Sequence, residues 1–203
     1  PISYSSNSYE GTLQNTTDST IKTKIDSWYE ENLLNRADGE GRSYADYLSD
    51  EVFCNDRSLH SGSGYLLSPS SLFSSYNRIY TQKTPSLKCS QALDRFTVDS
   101  SRGNGSLDYP IGLITADEVS MAGGVYNVAN TSYYLYTGEN YWTMSASIFS
   151  PSGTRVHAFH VDSLGYLGVW DYLAKSYHVR PDICLYPHIQ FTSEVVPDIN
   201  PLG

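Results

Sequence analysis

Cationic side chains are scarce in this sequence. There are 13 Lys and Arg against 22 Asp and Glu in 203 residues, a net charge of -9. A nucleic-acid binder needs a cationic stripe to displace counterions from phosphates. The few cations here are scattered, which argues against nucleic acid and anionic membrane as partners. Apolar runs are short, and none approaches the roughly 20 residues of a membrane helix. No signal-peptide pattern is present. Cysteine is nearly missing, and Cys54, Cys89 and Cys184 lack the C-x-x-C spacing of a zinc or redox site. Charged residues of both signs reach only 17%, so neutral polar groups must cover most of the surface.

What is abundant is tyrosine, used 18 times, together with Ser, Gly, Asn and Thr. Tyrosine supplies rigid amphipathic contact area and the small polar residues supply adaptable hydrogen bonds, a mixture that binding surfaces favour. Exported β-rich proteins share the same bias. The length suits a single domain over 1–203, large enough that disulfides are optional for stability. The chain opens on Pro1-Ile2-Ser3 without Met. The expectation is a trimmed or processed product, with room for a removed N-terminal anchor as its sole tie to a membrane.

Residues 1–18 read as loop or edge strand. Asp18 or Ser19 then caps a helix whose inner face is Ile21, Ile25, Trp28 and Leu33. A helical turn over Tyr44–Val52 leads into Phe53–Ser58, and Ser61-Gly62-Ser63-Gly64 reads as a loop. Pro69–Tyr80 is expected as a second short helix and Asp94–Val98 as a strand. Thr115 and Glu118 form a T-x-x-E capping box for a two-turn helix that stops at Gly123. Short strands follow at Tyr133–Tyr136, Tyr141–Ser145, Val156–Val161, Tyr166–Val169 and Ile183–Tyr186, separated by turn signals such as Pro151-Ser152-Gly153. The expected class is α+β, with helices early and a small antiparallel sheet in the C-terminal half.

The runs Asp94-Arg95-Phe96-Thr97-Val98, Tyr109-Pro110-Ile111-Gly112-Leu113-Ile114-Thr115-Ala116-Asp117-Glu118, Tyr141-Trp142-Thr143-Met144-Ser145 and Val179-Arg180-Pro181 resemble a group of uncharacterised bacterial surface domains. Those domains occur in gut bacteria, often behind pilin-like anchors. The helix from Ile21 to Leu34 and the segment Phe53-Cys54-Asn55-Asp56-Arg57-Ser58 fit the same group, so the resemblance spans nearly the whole chain. That group resembles in turn the C-type-lectin-like fold shared by formylglycine-generating enzymes and by the variable proteins of diversity-generating retroelements. The resemblance implies an extracellular, surface-displayed, pilus-associated ligand-binding protein whose partner is an unidentified protein or other surface ligand. A structural or minor pilin-like subunit is the alternative. In an exported chain Cys54–Cys89 is the best disulfide pairing, with Cys184 left over; three unpaired buried thiols are the other reading.

Residues 148–178 form the candidate variable segment. Tyr141, Trp142, Thr143, Phe149, Val156, Phe159, Val161, Gly165, Leu167, Val169, Val179, Arg180 and Pro181 look like scaffold. Set among them are the candidate ligand-binding residues Ile148, Arg155, His157, His160, Asp162, Tyr166, Trp170, Asp171, Tyr172, Lys175, Tyr177 and His178. Neither face of Val156–Val161 is cleanly apolar, so the inward set stays open. Large aromatics beside Asp171 and Lys175 suit a recognition loop; Trp170 and Tyr172 capping the core edge is the structural alternative.

Enzymatic readings fare poorly. Ser61–Gly64 lacks the strand and helix of a nucleophile elbow. His157 and His160 fall on opposite faces of a strand and cannot chelate one ion. Asp117 and Glu118 oppose a helix dipole, which accounts for them without catalysis. The cysteines do not follow the formylglycine-generating pattern. Val196-Pro197-Asp198 only faintly echoes the calcium-dependent lectins. No catalytic residue, metal ligand or cofactor is therefore expected; calcium in a loop of so acidic a chain stays open but is not predicted. Arg180 is expected to pair with backbone carbonyls or with a carboxylate such as Asp94 or Asp56. Ligand identity and oligomeric state are not legible.

Overall fold

The computed structural model describes residues 2–3, 18–64, 70–150, 155–170 and 173–189, with the backbone alone for Ile2, Ser3 and Arg155. Its class is α+β, three helices with antiparallel sheets. Helix α1 spans Thr20–Tyr29. The Ser19 hydroxyl caps it by accepting from the Lys22 N–H at 3.0 Å, and a π-helical turn at Glu30–Leu34 prolongs it. Its buried face is Ile21, Ile25 and Tyr29, with Trp28 and Leu33 packed at the side.

The organising element is a long hairpin. Strands β8 (Tyr141–Ser150) and β9 (Arg155–Val161) pair antiparallel, with register shifts on either side of Ala146. β9 continues to β10 (Leu167–Gly168). On its other side β8 pairs with β5 (Ser71–Phe73), which pairs with β4 (Leu59–Ser61). The sheet thus takes two of its five strands from the first half of the chain and is not confined to the C-terminal half as expected. The two-stranded ladders are β1 (Ile2–Ser3) with β11 (Ser176–Tyr177), β2 (Leu48–Ser49) with β13 (Cys184–Leu185), β3 (Phe53–Cys54) with β6 (Arg95–Phe96), and β7 (Gly112–Leu113) with β12 (Pro181–Asp182).

Both faces of the hairpin are buried. One apolar cluster joins Ile21 and Ile25 of α1 to Trp142, Ala146, Val156 and Ala158. The other joins Ile79, Val119, Tyr141, Ile148, Phe159 and Val161. This double burial explains why β9 shows no clean alternation: polar-out positions are not required when neither face meets water.

Several expected elements change. Ser71–Phe73 is a strand, and only Ser74–Tyr76 (α2) and a π-helical turn at Asn77–Gln82 are helical. Ser71 and Leu72 pair with β8, a partner too distant in sequence for local pattern to show, and Phe73 pairs with Leu59 of β4. Tyr133–Tyr136 is a turn closed by the Tyr136 N–H on the Tyr133 carbonyl. Its aromatics suggested a strand, yet Tyr133 and Leu135 bury from that turn. Ser61 belongs to β4, leaving Gly62 and Gly64, both at positive φ, as the loop. The capping box forms as read: Thr115 accepts from the Glu118 N–H, Glu118 from the Thr115 N–H, and α3 runs over Ala116–Met121. Cys54 and Cys89 are joined by a disulfide, and Cys184 is a free, half-buried thiol. The turn at Pro151-Ser152-Gly153 and the sequence at Val196-Pro197-Asp198 lie outside the described residues.

Candidate functional site

The candidate segment divides sharply by burial. Ile148 (6% exposed), His157 (5%) and His160 (6%) are core residues and cannot meet a ligand on the outer surface. For Ile148 the reason is the second apolar cluster, where it packs with Phe159. His160 lies opposite Trp142 across the β8–β9 ladder, with its ring edge-on to Trp142 and tilted against Tyr177. It also fills the space over Gly168, where a Cβ would stand 2.3 Å from the imidazole. These three were expected as ligand contacts because they break the scaffold pattern; they break it inward.

His157 is different in one respect. Its ring lies 6.1 Å from that of Trp170 in an edge-to-face arrangement, and it borders a cavity beneath α1. Trp170 follows β10 and is 61% exposed. An exposed indole held against a buried ring offers a large contact area with little rotamer freedom to lose.

The remaining candidates have mixed roles. Asp162 shapes the turn before β10, accepting the N–H groups of Leu164 at 2.8 Å and Tyr166 at 3.2 Å; Tyr166 is half-buried. Lys175 and His178 are exposed, and His178 stands 3.8 Å from Glu139. Tyr177 is half-buried, its ring tilted on Trp142. The side chain of Arg155, and all of Asp171 and Tyr172, lie outside what is described. The structure therefore brings Trp170 and His157 together in direct contact, and leaves Lys175 and His178 as further exposed positions.

Arg180 donates to the Leu135 carbonyl at 2.6 Å and lies over the Tyr141 ring. Neither suggested carboxylate reaches it, because each has another arginine. Asp94 is held by Arg57 at 2.6 Å. Arg78 bridges Asp56, at 2.6 Å, and Asp117, which it grips with two N–H groups at 3.0 and 2.9 Å. Near this bridge Asp182 has its carboxyl pushed up to about 6, first by burial and then by Glu118. Sequence reasoning also missed an exposed apolar set between α3 and β8: Val125, Val128 and Tyr134, the last 80% exposed, with Leu164 linked in through the bond from Asn130 to its carbonyl. Among the described residues no three His, Cys, Asp or Glu side chains are grouped to hold a metal, and no helix is long and apolar enough to cross a membrane.

Comparison with known proteins finds no matching family model, no matching curated protein and no matching solved structure.

Proposed function

We propose that this chain is a C-type-lectin-like binding module displayed on a bacterial surface, a variable protein of the retroelement-diversified kind, which meets a protein or other surface ligand through exposed positions of the 148–178 segment. The observation that carries the proposal is Trp170, exposed and steadied by the buried ring of His157. It stands beyond a hairpin whose own side chains are committed to two cores. That arrangement suits a fixed scaffold with replaceable outer side chains. The proposal assigns the protein no catalysis and no cofactor, and narrows the contact set by removing Ile148, His157 and His160.

Sequencing the coding region from independent isolates tests diversification. Substitutions should gather at adenine-containing codons for positions such as 170, 175 and 178. Codons 142, 148, 157 and 160 should stay constant, and a near-repeat of the segment should lie beside a reverse transcriptase gene. Substitutions spread evenly, with no such repeat, would remove the retroelement reading. For binding itself, Trp170→Ala should weaken capture on a protein or glycan array by at least tenfold, as expected for an aromatic anchor that a partner covers, without changing the melting temperature. An unchanged capture profile would sink the assignment of Trp170.

A second reading is a structural, pilin-like subunit that packs against neighbours. The exposed apolar residues Val125, Val128, Tyr134 and Leu164 favour it. In that case Tyr134→Ser, and not Trp170→Ala, would be the variant that disrupts assembly.

A further inference from the structure

The face of the hairpin turned toward α1 carries a cavity of about 160 Å³. Its origin lies in the sequence of the two strands. Ala146 on β8 and Ala158 on β9 stand directly opposite each other in the ladder, both buried and both lining the space. Two methyl groups sit where a packed sheet would place larger side chains. Ile21 and Ile25 close the space from the helix, and Leu113 and Leu173 from the sides. Gly112 cannot help fill it, because a Cβ there would stand 2.5 Å from the Phe53 ring.

Protein interiors are close-packed and leave few voids larger than a water molecule. An apolar cavity near 150 Å³ excludes water and accepts a guest the size of benzene. Two cations border this one, and both are already neutralised: Lys22 by Asp26, and Arg57 by Asp94 at 2.6 Å. The lining is mostly apolar, with Ser19, Asn55, Ser106 and His157 among it, and neither Lys22 nor Arg57 offers a guest an unpaired positive charge. Exposed Asp18 also lines the cavity, so it reaches solvent at the start of α1.

We propose that this cavity is a binding site for a neutral, apolar small molecule, a single ring or a short branched chain of about six to ten non-hydrogen atoms, as the cavity volume sets. The guest rests on the Ala146–Ala158 pair beneath α1. This site is distinct from the exposed face of Trp170, although His157 borders the cavity and touches the Trp170 ring.

The test uses the full chain labelled at its alanine methyl groups and tryptophan rings and titrated separately with toluene and with unlabelled indole. Magnetisation transfer should run from the ligand protons to the methyls of Ala146 and Ala158, and the melting temperature should climb with ligand concentration. Ala158→Leu should fill the space and abolish both effects. If that variant does not fold, Ala146→Val should fold and lower the affinity at least fivefold. Absence of transfer to either methyl at saturating toluene and indole overturns the proposal. So does transfer to Trp170 alone, which would place the interaction on the outer surface and leave the proposed binding function standing.

Discussion

Losing the Arg78 side chain is expected to be costly because it strands a buried carboxylate. Arg78 reaches Asp117 with two N–H groups and Asp56 with a third. The Asp117 side chain is only 5% exposed, against 18% for Arg78 and 15% for Asp56. Replacing arginine by methionine keeps most of the apolar stem but strands a buried carboxylate. Asp117 would then retain the Ser86 N–H, at 2.8 Å, and its place at the N-terminal end of α3. Breaking a buried ion pair from one side costs ~3–5 kcal/mol, because the remaining charge is uncompensated. The partial exposure of Arg78 places Arg78→Met near ~3 kcal/mol, a drop of roughly 6–12 °C in melting temperature for a chain of this size. Urea denaturation followed by tryptophan fluorescence measures it. The reasoning makes a second demand. Adding Asp117→Asn to Arg78→Met should recover part of the loss, since it removes the stranded charge. A loss under ~1 kcal/mol for Arg78→Met, or a double variant less stable than the single one, would refute the account of Asp117 as a dependent buried charge.

Two further outcomes follow from other parts of the fold. The Cys54–Cys89 bridge closes a loop across a separation of 35 residues, for which chain entropy gives ~4 kcal/mol. Replacing both cysteines by serine should lower the unfolding free energy by about 2–4 kcal/mol, whereas Cys184→Ser should leave it nearly unchanged. Asp182, with its carboxyl near 6 in the fold against an ordinary 3.8, binds its proton more tightly folded than unfolded. Its contribution is therefore fully present below about pH 4 and is lost as pH rises through about 6. After allowing for solvent screening at a half-buried site, Asp182→Asn should raise stability at pH 7 by on the order of 1–2 kcal/mol and change little at pH 4. Equal effects at both pH values would show that Asp182 is charged without penalty.

The parts of the fold that were legible in the sequence are those whose causes are local. Ser19 and the Thr115–Glu118 box announce helix starts because capping is settled within three residues. Tyr141 and Trp142 open a strand as read, but its length to Ser150 was hidden, since burial on both sides erases the alternation that would have traced it. Ser71–Phe73 was read as helix because β8, the strand that ties it into the central sheet, begins about 70 residues later. The Arg78 bridge was invisible for the same reason: its carboxylates lie 22 and 39 positions away. The candidate site was half legible. Exposed Trp170 stood out by residue type in a segment without apolar alternation. Ile148, His157 and His160 stood out by the same criterion and belong to the interior, because an unusual side chain marks a special environment without saying whether that environment is wet or dry.

The hairpin shared by two cores has a consequence for how such a molecule responds to a partner. Loosening either cluster requires β8 or β9 to shift, and that shift would disturb the other cluster at once. Adaptation by backbone rearrangement is thus opposed from both sides, and interfaces built this way dock with little change of shape. A protein so constrained offers one contour to every encounter. On the proposed binding reading, new partners would be reached by exchanging the side chains at its outer positions, with the discrimination written in inheritance more than in motion.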